Sequence, residues 1–447
     1  MTAAPRSSWQ PDRSWADPLI ALLALLALLA AGFTLRTRQQ GARRPAERAG
    51  LQARLLEVAL GGPKAFAGRP VAAKDWAKAE VQLKEPWDRA LLLVLKAELE
   101  EAKAPVPGLD AVGVARLGPA GERFRRAYLA AYAGGPMPQP GERLELHRRL
   151  GGGYAADLLE ARLLDREGGG QALRARARTA LMTRLAGLGL LGLGVLTLAA
   201  AGLAVGIYLL VSRGKTTVPP LPAWTLSGRA CALVLLGWFL AFFLSGSLAG
   251  LLLHPWPGLR WLALPLGYLL HAGFGIQLLC RAEGLTFGEL WQRVAPGRAG
   301  RDLAWGGAFL ALAVLLVILV ALISNLVLRP EQSPQRDLQE LLRSLSGWGP
   351  SLALFLTVAG LAPFFEELLF RGFLLPVVAR QHRLAVALAF SALLFAAIHL
   401  QPTGLPVLAT LGLVMGLAMR HTGSLRTPIL VHACWNGGLF LLMRAFA

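Results

Sequence analysis

Apolar residues are gathered into long unbroken stretches rather than spread with a short period. The first, residues 18–35 (PLIALLALLALLAAGFTL), has the length of one bilayer-crossing helix. Similar runs occupy 186–212, 230–253, 261–280, 303–328, 350–379, 384–400, 404–419 and 427–446, nine in all. Lipid offers backbone groups no partner, so only helices and closed barrels cross it, and these runs are far too long for barrel strands. The expectation is an all-α fold, a polytopic bundle of about nine spans. Residues 36–185 follow another pattern, rich in Ala, Leu, Glu, Lys and Arg. Helical periodicity runs from Trp87 to Lys103 and from Gly141 to Arg166, with breaks at APVPG (104–108) and GGPMPQPG (134–141). The expected organisation is therefore a membrane anchor over 1–35, a soluble helical domain over 36–185, a linking helix and loop over 186–229, and a membrane core over 230–447. Arg36 and Arg38 follow the first run and no small-residue cleavage pattern stands out, so an uncleaved anchor is expected rather than a signal peptide.

Composition narrows the function. Of 447 residues, 55% are hydrophobic and 16% charged, against roughly 25% charged in soluble domains. This excludes an ordinary cytosolic enzyme. The net charge of +19 does not imply a nucleic-acid partner: residues 36–185 hold 27 Lys/Arg against 17 Asp/Glu, and most other cations flank apolar runs as membrane anchors. The loops 213–229, 281–302, 380–383 and 420–426 carry 11 Lys/Arg, and the alternate loops 254–260, 329–349 and 401–403 carry 4. The first set is expected in the cytoplasm. Alternation then puts the 36–185 domain outside, although Arg36 to Arg48 argue the other way. Cys231, Cys280 and Cys434 show no CxxC spacing and read as packing residues. Gly187-x-Gly189-x-x-Gly192 lies within a span, so it is no dinucleotide fingerprint.

Candidate chemistry sits in the last hundred residues. Between Pro350 and Ala447 the only carboxylates are Glu366 and Glu367, in APFFEELLFRGFLLP. An ionisable residue at a helix centre in lipid costs at least ~2.5–3.5 kcal/mol, so the pair needs a reason. Glu367 and Arg371 are four apart and suit an ion pair, while Glu366 turns about 100° away. His399 follows Phe395 by one turn, and His432 and Asn436 share one face of a later helix. Together these offer a general base, a second imidazole and donors for an oxyanion. His271, alone in its span, reads as a helix-packing group. Cys434 points away from His432 and Asn436 and is a poor nucleophile.

Glu366-Glu367-x-x-x-Arg371, Phe395-x-x-x-His399 and His432-x-x-x-Asn436, in this order within seventy-one residues, resemble the three motifs of the CAAX protease and bacteriocin-processing (Abi) family. Its members are intramembrane endopeptidases, among them the type II CAAX prenyl proteases, and the likeness covers about residues 230–447. The resemblance implies that Glu366 with His399 activates a water, that His432 and Asn436 hold the oxyanion, and that Glu367 and Arg371 keep the geometry. It implies a membrane-associated peptide or protein substrate, of prenylated CaaX type in the eukaryotic members. The expected location is the bacterial inner membrane. Two His and a Glu could ligate zinc, yet no HExxH is present, and a metal-free glutamate–water mechanism is preferred. The rival readings are a non-catalytic membrane scaffold, a bacteriocin-immunity protein and a proton-coupled transporter, the last disfavoured by the lack of internal symmetry.

Overall fold

The computed structural model describes residues 49–328 and 347–446, apart from residues 50, 84, 103, 106–113, 214, 216 and 298, together with residue 342. The run at 18–35 lies outside these residues. Among those described there are helices and no strands. Among the described residues there are two compact units, one built on residues 49–195 and the other on residues 196–441.

The first unit contains α1 (Leu51–Ala67), α2 (Ala73–Gln82), α3 (Pro86–Leu99), α4 (Pro119–Ala133), α5 (Pro140–Arg149) and α6 (Tyr154–Leu164). Proline in the first turn of α3, α4 and α5 fixes where each begins, because the missing N–H is one that a first turn leaves unpaired anyway. Trp87, Phe124 and Tyr128 are fully buried at its centre, with Trp87 and Phe124 edge-to-face at 6.1 Å. The periodic stretch Gly141–Arg166 is two helices rather than one. Gly151 and Gly152 adopt φ of 87° and 62° between α5 and α6, a left-handed turn that other residues rarely make. Arg54 donates to the Gly151 carbonyl there, and Glu57, fully buried, accepts from the Ala155 amide at the start of α6.

The helix α7 (Gly170–Val211) is 42 residues long. The second unit continues with α8 (Gly228–Leu252), α9 (Ala263–Glu283), α10 (Phe287–Val294), α11 (Ala299–Leu328), α12 (Trp348–Gln381), α13 (Leu384–Ala397), α14 (Leu405–Thr422) and α15 (Arg426–Phe446). Six helices among the described residues are long and apolar enough to cross a membrane: α7, α8, α9 with its preceding turn, α11, α12 and α14. Nine spans are therefore not reproduced. Of the other three expected runs, one is not described, α13 has only 14 residues, and α15 carries His432, Trp435 and Asn436 in its middle.

The four cation-rich loops meet at one end of this bundle. Leu425 N donates to Val294 O (2.8 Å), Arg301 to Thr422 O (2.9 Å), and Arg420 to Pro219 O (2.8 Å). Arg380 donates to Trp224 O and Leu226 O (2.7 and 2.8 Å), and Glu283 accepts from the amides of Thr225 and Leu226 (2.8 and 3.0 Å). The residues between α7 and α8 thus form a strap fastened across the helix ends. The loops that charge counting placed on one side do share one end.

Candidate active site

The site begins with two prolines. Pro363 and Pro376 lie inside α12, and each is preceded by a widened π turn, Thr357–Leu361 and Leu368–Leu374. The physical reason is local. A proline ring collides with the carbonyl four residues back and has no N–H to offer it, and widening the helix relieves the collision. The freed carbonyls then need donors from elsewhere. In π spacing the carbonyl deprived by Pro363 is that of Val358, and it accepts Asn436 Nδ2 at 3.0 Å. Four residues before Pro376, Gly372 O accepts Trp224 Nε1 at 3.0 Å. Ser391 Oγ donates to Phe370 O at 3.1 Å in the same stretch. Glu366 and Glu367 sit between the two π turns, on a helix held in shape by α13, α15 and the strap.

Glu367 and Arg371 are both fully buried and pair at 2.7 Å. Glu367 Oε1 also meets His432 Nδ1 at 2.9 Å. A carboxylate only accepts, so Nδ1 carries the hydrogen and Nε2 faces the other way, toward Glu366 Oε2 at 3.9 Å. Arg371 completes its anchorage by donating to Gly412 O at 2.9 Å, with its guanidinium 4.5 Å from the Phe395 ring centre. Glycine at 412 allows this close approach, because a Cβ would lie a tight 3.1 Å from both Arg371 Nη2 and the Ala392 backbone. The result is a chain running Arg371–Glu367–His432–Glu366 that fixes one imidazole against one carboxylate. It resembles the carboxylate–histidine arrangement by which a buried acid orients a ring and sets its tautomer.

His399 lies just beyond α13, half-buried. Its Nδ1 is 2.7 Å from Phe395 O, so Nε2 is the acceptor nitrogen. Phe395 stands edge-on to His399 at 4.9 Å and to His432 at 5.5 Å, a wedge between the two imidazoles. Leu400, in left-handed backbone (φ 53°), turns the chain away directly after His399. The expected residues Glu366, Glu367, Arg371 and His432 are thus brought into contact, and His399 joins them through Phe395. Asn436 is on the same helix face as His432, with one of its two amide hydrogens given to Val358 O. Cys434 is exposed on another face.

The Oε2 atom of Glu366 is buried and has no hydrogen-bond partner. The residue borders a small cavity, about 10 Å³ for the centre of a water-sized sphere, enough for one water. Its walls include Trp238, Phe239 and Phe242 of α8, His271 of α9 and Phe370 of α12. His271, read from the sequence as packing, belongs to this wall, and its neighbour Tyr268 donates to Glu366 Oε1 at 3.4 Å. The available signal was their i, i+3 spacing on one apolar helix, which a histidine considered alone conceals. Beside the cavity runs an apolar groove of about 310 Å³ between α8, the end of α12 and α13. Phe239 lines both. Leu235, Leu374, Val378 and Phe390 lie along the groove, and Gln381 and His382 stand at its outer end.

A catalytic zinc needs three protein ligands. Among the described residues no three His, Cys, Asp or Glu side chains gather as a metal site would require. His432 Nδ1 is engaged by Glu367 and His399 Nδ1 faces a carbonyl, which turns each Nε2 into the acceptor nitrogen a metal could take. A third ligand does not gather with them among the described residues, and no step is routed through a metal.

Compared with known proteins, residues 348–438 match the Rce1-like family model, type II CAAX prenyl endopeptidase Rce1-like, over 91 of the 447 residues. No curated protein and no solved structure matches the chain. The matched segment contains all six expected site residues. The chain is an integral, multi-pass membrane protein, and its residues 348–438 are similar to an intramembrane endopeptidase domain of this kind.

Proposed function

We propose that this chain, whose residues 348–438 form an Rce1-like domain, hydrolyses a peptide bond of a membrane-associated, lipid-modified substrate by a water that Glu366 activates. The observation that carries the reading is the buried, unpartnered Oε2 of Glu366 at a cavity the size of one water, beside an imidazole held in a single tautomer. Glu366 takes one proton from the water as its oxygen bonds to the carbonyl carbon. The second amide hydrogen of Asn436 stabilises the oxyanion. His432, whose one hydrogen goes to Glu367, presents the acceptor Nε2 toward Glu366 and is not an oxyanion donor in this tautomer, and His399 supports Glu366 in activating the water. When the carbon–nitrogen bond breaks, Glu366 returns the proton to the leaving amine. Such positioned proton transfer contributes about 10²–10⁴-fold in rate. Glu367 and Arg371 act by holding His432.

The groove supports a substrate with a long apolar chain. It follows residues 228–239 of α8, ~16 Å at 1.5 Å per residue, and ends where Phe239 borders the Glu366 cavity. A chain of prenyl kind fits its lining. The proposed location is the bacterial cytoplasmic membrane, with the strap end of the bundle inside the cell.

The test is hydrolysis of a quenched, fluorescent farnesyl-cysteine peptide by purified protein in lipid nanodiscs. Glu366→Gln should remove nearly all activity and His399→Ala most of it. Chelation followed by dialysis should leave most. Full activity in Glu366→Gln overturns the glutamate–water reading. Stoichiometric zinc, with activity lost on its removal and restored on its return, overturns the metal-free one.

A further inference from the structure

The wall of the Glu366 cavity opposite α12 comes from α8 and α9, outside the segment that the family model covers. Of its lining side chains, only Glu366 and His271 have a carboxylate or imidazole to offer a water; the rest are aliphatic or aromatic. His271 is buried, 4% exposed. Its Nδ1 lies 3.1 Å from Gly267 O, one turn earlier on α9. A carbonyl can only accept, so the hydrogen is on Nδ1 and Nε2 carries a lone pair. The ring is wedged edge-on against Phe242 at 5.3 Å and tilted against Tyr268 at 5.1 Å. Phe242 and Trp238 are its α8 neighbours at the cavity, and Trp238 sits so tightly on α9 that a Cβ at Gly275 would strike its ring. The imidazole is therefore fixed in place and in tautomer.

We infer that His271 is a further catalytic residue: its Nε2 accepts one hydrogen of the nucleophilic water while Glu366 removes the other. Tyr268, one turn away, is a positioning residue whose hydroxyl donates to Glu366 Oε1 at 3.4 Å and leaves Oε2 to take the proton. The step balances without a further reactant. The water's O–H bond to Glu366 breaks, its electron pair forms the new carbon–oxygen bond, and the hydrogen facing His271 stays on oxygen. What His271 contributes is direction. A water held by one acceptor can swing about that contact, whereas two fixed acceptors aim its lone pair at the carbonyl. This rests on the glutamate–water reading and adds to it a second acceptor supplied by α9.

The same nanodisc assay tests it in the full chain with the farnesyl-cysteine peptide. His271→Phe fills the volume and removes the acceptor. It should lower kcat by about 10²-fold, with KM within about twofold and melting within a few degrees of wild type. His271→Gln, whose amide oxygen can accept in place of Nε2, should recover about tenfold of that loss. Tyr268→Phe should lower kcat several-fold. It should also shift the carboxylate band isolated by subtracting the infrared spectrum of Glu366→Gln, a signature that helix packing alone would not move. With Glu366→Gln inactive, a His271→Phe kcat within threefold of wild type overturns the assignment, and so does a loss that His271→Gln does not recover. An unmoved carboxylate band in Tyr268→Phe removes the tyrosine from it. Activity retained in Glu366→Gln is a different failure, since it refutes the underlying glutamate–water reading.

Discussion

Replacing Arg371 by Met removes a cation from a place with no water to compensate. Arg371 and Glu367 are both wholly buried, and their 2.7 Å pair is joined by His432 Nδ1 at 2.9 Å and by Gly412 O. Arg371→Met leaves the Glu367 carboxylate buried with only an imidazole beside it. Breaking a buried pair in this way costs ~3–5 kcal/mol. The guanidinium over Phe395 at 4.5 Å belongs to the same loss, since cation–π contacts in desolvated sites reach ~2 kcal/mol. Against a total stability of ~5–15 kcal/mol, that is a severe defect. The double variant Glu367→Met/Arg371→Met should behave differently, because removing both charges removes the desolvation cost together with the attraction. It should recover most of the lost stability, giving a coupling of ~2 kcal/mol or more in the double-mutant cycle. It should nevertheless stay inactive, because nothing then holds the His432 tautomer. The measurement is equilibrium unfolding in mixed micelles for wild type, both single variants and the double, with peptide hydrolysis alongside. A single variant within ~1 kcal/mol of wild type refutes the buried-pair argument. Additive losses in the double refute the coupling. Normal stability with lost activity in Glu367→Ala would make Glu367 catalytic rather than supporting.

Pro363→Ala restores a helical N–H and removes the ring collision behind the first π turn. The local gain reaches ~3 kcal/mol, yet a one-residue change of register turns the carboxylates by about 100°. Melting should therefore rise while kcat falls at least tenfold, and unchanged kcat would show that the widened turn does not place the Glu pair. In the helical unit, burial holds the Glu57 carboxyl above its ordinary range, outweighing the Ala155 amide and Arg54. The folded unit then binds this proton more tightly than the unfolded chain, so stability falls as pH rises above about 4.5, the ordinary value. Glu145, held low chiefly by its hydrogen bond to Arg149, acts in the opposite sense, so the comparison is made in one variant. Glu57→Gln should flatten the pH dependence of Ala155 amide exchange in the full chain, and an unchanged profile would refute the assignment. For topology, single cysteines at Gly297, Arg383 and His421 should all resist an impermeant thiol reagent in intact cells. Labelling of one without the others would contradict the shared end seen in the bundle.

Much of the site was legible because its chemistry obeys simple spacing. Four residues between Glu367 and Arg371, and four between His432 and Asn436, put each pair on one helix face, and both pairs make contacts toward the same stretch of α12. Loop charge gave the shared end of four loops, because cations that anchor at one interface gather there and then bond to carbonyls of neighbouring loops. What failed to show has equally definite causes. The 100° separation of Glu366 from Glu367 assumes ideal α geometry. Pro363 and Pro376 signal a departure from it, but whether a proline kinks, breaks or widens a helix depends on donors that arrive from Asn436 and Trp224 far along the chain. Span counting rests on length and hydropathy, and α13 and α15 spend part of theirs on the site instead of on lipid. His271 reads as packing in the sequence because what would distinguish a packing histidine from the reacting one proposed is what lines the cavity with it, and Glu366 does. A family model confined to 348–438 covers the residues proposed to carry the reaction's charge. The surface that excludes bulk water from that charge, and on the present reading aims the nucleophile, is assembled by α8 and α9. Variation in those two helices is therefore where differences in rate and substrate choice among proteins sharing the same motifs should arise.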